Sequence, residues 1–129
     1  MVVGIGTDIT RIARIENMLI SHGDRFLNKV FTASEIAYCK KMANPAIHFA
    51  GRWAAKEAFY KALPASLQPR STWKSVQIVA RNGSRKPVID VIDPALEKAL
   101  FDKGIGSIHL SISHEQAGYC IAFVIVEGE

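Results

Sequence analysis

Asp8, Glu57 and Lys61 are the side chains with the clearest chemical potential. Asp8 lies in the opening stretch GIGTDI, and Glu57 and Lys61 stand four apart in HFAGRWAAKEAFYKAL. Two hard carboxylates suit Mg²⁺, which takes one or two acids and fills its shell with substrate phosphates and water. Lys61, with Arg52 and Lys56 on the same segment, offers positive charge to those phosphates. The chemistry indicated is metal-assisted handling of a phosphorylated ligand. Each residue also has an ordinary use. An acid after a strand can cap the next helix, and a Glu–Lys pair at i,i+4 is commonly a solvated contact of about 0.2–0.5 kcal/mol. Only the three together, on two elements of one small core, favour a site.

Those elements can be read from the sequence. If residues 1–9 are extended, Val3, Ile5, Thr7 and Ile9 share one face, and Val2, Gly4, Gly6 and Asp8 the other. A face of nearly bare backbone predicts that something packs closely on it. Residues 46–63 read as the longest helix. At about 100° per residue, Phe49, Trp53, Tyr60 and Leu63 share a broad face with Phe59 at its flank. Ala50, Ala54, Glu57, Ala58 and Lys61 fall on another face, where the alanines predict open space for a ligand.

The remaining elements follow from periodicity and punctuation. Ile12, Ile15 and Leu19 predict a helix after Asp8 that Gly23 stops or interrupts. Thr32 and Glu35 form a capping box, with Phe31 able to staple onto Ile36, for a helix to about Met42. Strands are predicted over 73–81 and 87–92 around an Asn82-Gly83 turn, then a helix over 94–103 between Asp93-Pro94 and Gly104. Two strands, 107–113 and 119–126, close the chain. Mixed elements without strict alternation indicate an α+β fold.

At 129 residues, with 49% hydrophobic and 22% charged residues, the chain is expected to form one globular domain, residues 1–129. No apolar run is long enough for a membrane helix, and no basic-then-apolar leader is evident. Cys39 and Cys120 lack any metal-type spacing and fit a reducing cytoplasm as core residues. A net charge of +4 favours acidic partners. The basic residues are scattered, however, and no aromatic RNA-binding motif or zinc spacing appears, which argues against nucleic acid. His114 ends an alternating strand and could simply cap a core edge, and Arg11, Arg14 and Arg25 could be an ordinary solvated face.

Taken together, GIGTDITRIARI, FAGRWAAKEAFYKA and IHLSISHEQAGYCIAFVIVE resemble the holo-acyl-carrier-protein synthases, a family of 4'-phosphopantetheinyl transferases. The motifs lie in the family's order across essentially the whole chain. The resemblance implies a mostly antiparallel sheet packed on a long helix. It implies transfer of 4'-phosphopantetheine from coenzyme A to a serine of apo acyl carrier protein, in support of fatty acid biosynthesis, with adenosine 3',5'-bisphosphate as the other product. Asp8 and Glu57 would bind Mg²⁺, and Asp8, Glu57 and Lys61 would form the catalytic set, with Glu57 or a water as the base. Arg52, Lys56, Lys61 and His114 would contact coenzyme A. Arg14, with Arg11 and Arg25, would dock the acidic carrier protein, and family members are homotrimers with active sites between subunits. The family's glycine-rich turn after the KEA helix is replaced here by LPASLQPRSTW.

Overall fold

The computed structural model describes every residue except Asn82 and Gln116. Three strands, β1 (Val2–Arg11), β4 (Ile105–Glu115) and β5 (Tyr119–Gly128), form one antiparallel sheet in the order β1-β5-β4. The long helix α3 (Pro45–Ala62) packs on one face of that sheet. Helices α1 (Ile12–Val30) and α2 (Ala33–Lys40) cover the other side of α3, and a separate hairpin of β2 (Val76–Ala80) and β3 (Pro87–Val91) leads to α4 (Pro94–Asp102). The expected α+β architecture, an antiparallel sheet on a long helix, is the one observed.

Period-two alternation sorts the sheet residues. Cys120, Ala122, Val124 and Val126 point inward and are fully buried. Tyr119, Ile121 and Phe123 point outward, as do Val3, Ile5 and Ile9 of β1, and all six remain exposed. The inward face of β1 carries Gly4 and Gly6, and there the predicted close approach is found. A Cβ on Gly4 would stand 2.0 Å from the Ala62 carbonyl oxygen, and one on Gly6 2.0 Å from that of Ala58. The alanines of α3 therefore do not leave the open space expected of them. Ala54, Ala58 and Ala62 are buried, and the backbone of β1 fills the volume above them.

Two boundaries settle alternatives that the sequence leaves open. Asp8 lies inside β1, and Arg11 occupies the N-cap position of α1 without a side-chain bond, so Asp8 is not a helix cap. Gly23, at φ 49°, kinks α1 without ending it. The helix resumes because Phe26, Leu27 and Val30 join Ile15, Phe31, Cys39 and Phe49 in one buried cluster. The capping box at Thr32 and Glu35 is present, and Asp93 caps α4 through Ala95 N at 2.9 Å. The expected Asn82-Gly83 turn includes Asn82, which lies outside the described residues.

Replacing Gly6 with alanine should destabilise the protein by about 3 kcal/mol or more, since the added methyl meets main chain that cannot rotate away. Denaturant unfolding measures this, and a variant within 1 kcal/mol of the parent, roughly the scale of an ordinary surface change, would mean β1 can move off α3 freely.

Candidate active site

Close packing of β1 on α3 brings Asp8 to the rim of the helix, beside Glu57 and Lys61. The Asp8 carboxylate is held on both oxygens: Thr10 Oγ1 donates to Oδ2, and Lys61 Nζ lies 3.3 Å from Oδ1. Lys61 Nζ also donates to the Thr7 carbonyl at 3.1 Å. The i,i+4 spacing suggested a Glu57–Lys61 pair, but the amine goes to Asp8 and the β1 backbone. Among the described residues no hydrogen bond or ion pair neutralises Glu57. Partial burial, then the nearby Asp8 charge, raises Glu57 above the ordinary carboxyl range, while Lys61 and Arg14 pull it back. Two acids thus face each other with incomplete compensation. That donor set fits a divalent cation taking both carboxylates and filling its remaining positions from a phosphate and water.

Lys56 is where the expectation fails. It was read as a coenzyme contact, but it is only 4% exposed, and its ammonium is fully engaged inside the protein. Nζ lies 2.8 Å from Glu35 Oε1 and donates to the carbonyls of Val30 at 2.8 Å and Trp73 at 2.7 Å. Three donors meet three acceptors, so no N–H remains for a ligand. Burial draws this lysine below the ordinary amine range against the pull of Glu35. Lys56 and Glu57 line a cavity of about 400 Å³ whose other walls are Tyr60, Ser71, Thr72, Trp73 and Val76.

A second, cationic cavity of about 200 Å³ lies elsewhere on α3, lined by Tyr38, His48, Arg52, Arg85 and His114. Arg52 is 6% exposed, its guanidinium stacks 4.3 Å from the centre of the Tyr38 ring, and its Nε finds no hydrogen-bond partner among the described residues. A buried, unpaired guanidinium N–H is costly. The cavity beside it gathers positive charge from Arg52 and Arg85, which suits an anion. Burial and the charges of Arg52 and His114 lower His48 below its usual value, so it is neutral at neutral pH.

On α1, Arg14 lies 5.6 Å from the Trp53 ring centre, Arg11 approaches the Tyr119 ring and hydroxyl, and Arg25 is exposed. Cys39 and Cys120 are buried free thiols, each pushed up to about 11 by burial. Four residues escaped the sequence reading: His48, Arg85, Glu35 as an ion-pair partner, and Trp73. His48 stands one helical turn before Arg52, a spacing that gave a usable signal. Arg85 and Trp73 sit in connecting segments, where no periodicity points to them.

Comparison with known proteins follows the same lines. The sequence profile of the 4'-phosphopantetheinyl transferase superfamily matches residues 4–124. The chain is 42% identical over 130 residues to the holo-[acyl-carrier-protein] synthase of Syntrophus aciditrophicus, covering 99% of this chain and 98% of that one. Its fold superimposes on the holo-[acyl-carrier-protein] synthase of Neisseria meningitidis with a TM-score of 0.83 at 31% identity, over 98% and 99% of the two chains. It is also similar to the Helicobacter pylori synthase solved in complex with coenzyme A, with a TM-score of 0.77 at 30% identity, over 95% and 99%.

The raised Glu57 has a stability consequence. Its folded-state pKa exceeds the unfolded one, so ionised Glu57 opposes folding at neutral pH, and the penalty disappears as pH falls through the folded pKa. In metal-free buffer Glu57→Gln should therefore melt higher than the parent at pH 7, and the gap should close on acidification towards the ordinary carboxyl range. Thermal unfolding of both proteins over that window is the measurement, and a Gln variant that melts lower at pH 7 would contradict the assigned electrostatics.

Proposed function

We infer that this chain, which belongs to the 4'-phosphopantetheinyl transferase superfamily and is an enzyme of that class, transfers 4'-phosphopantetheine from coenzyme A to a serine of apo acyl carrier protein. The observation that carries this reading is the pair of mutually repelling acids, Asp8 and Glu57, beside Lys61, with Glu57 lining a cavity. The serine hydroxyl attacks the phosphorus bearing the pantetheine arm. A P–O bond forms, the bridging P–O bond breaks, and adenosine 3',5'-bisphosphate leaves. Transfers of this kind depend on positioning and on neutralising oxygen charge.

Asp8 and Glu57 would hold Mg²⁺. When bound, the ion supplies charge neutralisation on the pyrophosphate oxygens and orients them. Thr10 fixes one Asp8 oxygen, which orients the carboxylate. Lys61, half exposed and already at this rim, can turn from Asp8 to the departing bisphosphate. Glu57, directly or through a water, is the candidate base for the serine proton, and a water held elsewhere is the alternative.

The Arg52–His114 cavity supports a coenzyme phosphate remote from the reacting one. Arg52 and Glu57 are five residues apart on α3, or about 140° around the axis, so one copy does not present both to the same ligand. The exposed apolar residues Val3, Ile5, Ile9, Ile121 and Phe123 on the open sheet face support self-association, which would bring one copy's acids to another's cationic cavity. This favours the homotrimer with sites between subunits. Arg14, with Arg11 and Arg25, would meet the acidic carrier protein. Buried free thiols favour a reducing cytoplasm, where the product would serve fatty acid biosynthesis.

Incubation with coenzyme A, Mg²⁺ and apo acyl carrier protein should add the phosphopantetheine mass to the carrier. Asp8→Ala and Glu57→Ala should each lower the rate on the order of 100-fold or more with the fold retained. Parent-like rates at limiting Mg²⁺ from either variant would remove the metal assignment. Arg14→Ala should raise the carrier KM at low ionic strength, with the difference fading in high salt. An unchanged KM at low salt would take Arg14 out of the docking surface.

A further inference from the structure

The network around Lys56 joins five segments at one buried point. Glu35 Oε1 accepts from Thr32 N at 2.9 Å and pairs with Lys56, and Oε2 accepts from Ile78 N at 2.8 Å. Lys56 then reaches the end of α1 at Val30 and the segment before β2 at Trp73. The two side chains are 0% and 2% exposed, and every donor and acceptor is matched. Such a completed arrangement fixes geometry even where its net contribution to stability is small.

Trp73 is the informative end. With Ser71 and Thr72 it walls the cavity that has Glu57 on its rim, and its indole stacks on Trp53 with ring centres 4.4 Å apart and planes 28° apart. These are the chain's two tryptophans. The segment leading to Trp73, residues 63–72, contains no strand and only a short 3₁₀ turn, Gln68–Arg70. Side-chain anchors must therefore hold this wall in place.

We propose that Lys56, held by Glu35, is a positioning residue that fixes the Trp73 main chain, and with it the wall of the cavity beside Glu57, so that the buried pair governs how tightly the pantetheine donor binds. The proposal rests on the reading of that cavity as the donor site. Chemistry stays with Asp8, Glu57 and Lys61, which the pair does not touch. Loss of the anchor removes binding energy common to the ground and transition states, which raises KM and leaves kcat nearly unchanged.

The test uses the full chain with coenzyme A, Mg²⁺ and apo acyl carrier protein. Lys56→Met alone would leave the Glu35 charge buried without a partner, so the primary variant is the neutral pair Glu35→Gln/Lys56→Met. With the helical circular dichroism retained, it should lose the exciton signal of the stacked indoles and show a coenzyme KM raised about tenfold, the scale of one lost charged hydrogen bond. Its kcat should stay within about threefold of the parent, as expected for uniform binding. An intact exciton signal with parent-like KM, or a lowered kcat at constant KM, overturns the proposal. Trp53→Phe tests the same point without disturbing the pair. The backbone anchor remains, so KM should stay within about twofold, whereas a tenfold rise would assign the wall to the indole stack and overturn the role of Lys56. A parent protein that transfers nothing would instead remove the functional reading itself.

Discussion

Everything in this molecule depends on how closely one strand approaches one helix. Gly4 lies against the Ala62 carbonyl and Gly6 against that of Ala58, with no room for a single methyl. Two strand residues advance about 6.7 Å and one helical turn about 5.4 Å, so the two backbones stay nearly in step. The next inward residue of β1 is Asp8, whose carboxylate meets Lys61, near Glu57, at the edge of the contact. A side chain at Gly4 or Gly6 would separate the elements, and the acids would part with them. The glycines have no chemistry of their own, yet they set the separation of the groups that do.

The same helix carries two opposite treatments of charge at adjacent positions. Lys56 is buried beside Glu35 with every hydrogen bond made, and its charge is engaged inside the protein. Glu57, the next residue, has no hydrogen bond or ion pair among the described residues and is pushed towards protonation by partial burial and then by Asp8. The first arrangement fixes structure. The second leaves interaction free energy unsatisfied until a cation or a proton arrives. A similar contrast separates Lys61, whose solvent-exposed amine rests on Asp8, from Arg52, whose buried Nε has no partner among the described residues. Among the described residues, the candidate site groups are the incompletely satisfied ones, in contrast to the fully matched Glu35–Lys56 pair.

Much of this is legible in the sequence. Period-two and period-3.6 patterns gave the strands and helices, the Thr32–Glu35 box gave the start of α2, and the glycine face of β1 correctly demanded close packing. The errors have physical causes. Small residues on α3 were read as open space, because sequence does not distinguish a gap left for a ligand from one filled by another backbone. Lys56 was read as a ligand contact because neighbouring helix residues look alike in sequence. Its fate was decided by Glu35, twenty-one positions earlier, whose capping role concealed its second use as an ion-pair partner. The cationic cavity draws on α2, α3, β4 and the segment holding Arg85, a convergence that no local pattern encodes.

The segment after α3 shows how one constraint can be met by different means. A glycine-rich turn gains its shape from backbone freedom, since glycine enters conformations closed to other residues. Residues 63–73 contain no glycine and two prolines, Pro64 and Pro69, which limit the unfolded chain instead. Leu67 is buried as a hydrophobic pin, and Leu67 N closes a turn onto the Pro64 carbonyl at 2.9 Å. Gln68 Nε2 returns to the Tyr60 carbonyl at 3.1 Å and satisfies an acceptor at the end of α3. Thr72 and Ser75 close the far end through Thr72 N and Ser75 Oγ at 2.9 Å, and Lys56 holds the Trp73 carbonyl from below. Each anchor uses a side chain or a ring where a glycine turn would use main-chain freedom. A wall built this way resists displacement at several independent points, and three of them join it directly to α3: Gln68 on the Tyr60 carbonyl, Trp73 stacked on Trp53, and the bond from Lys56 to the Trp73 carbonyl.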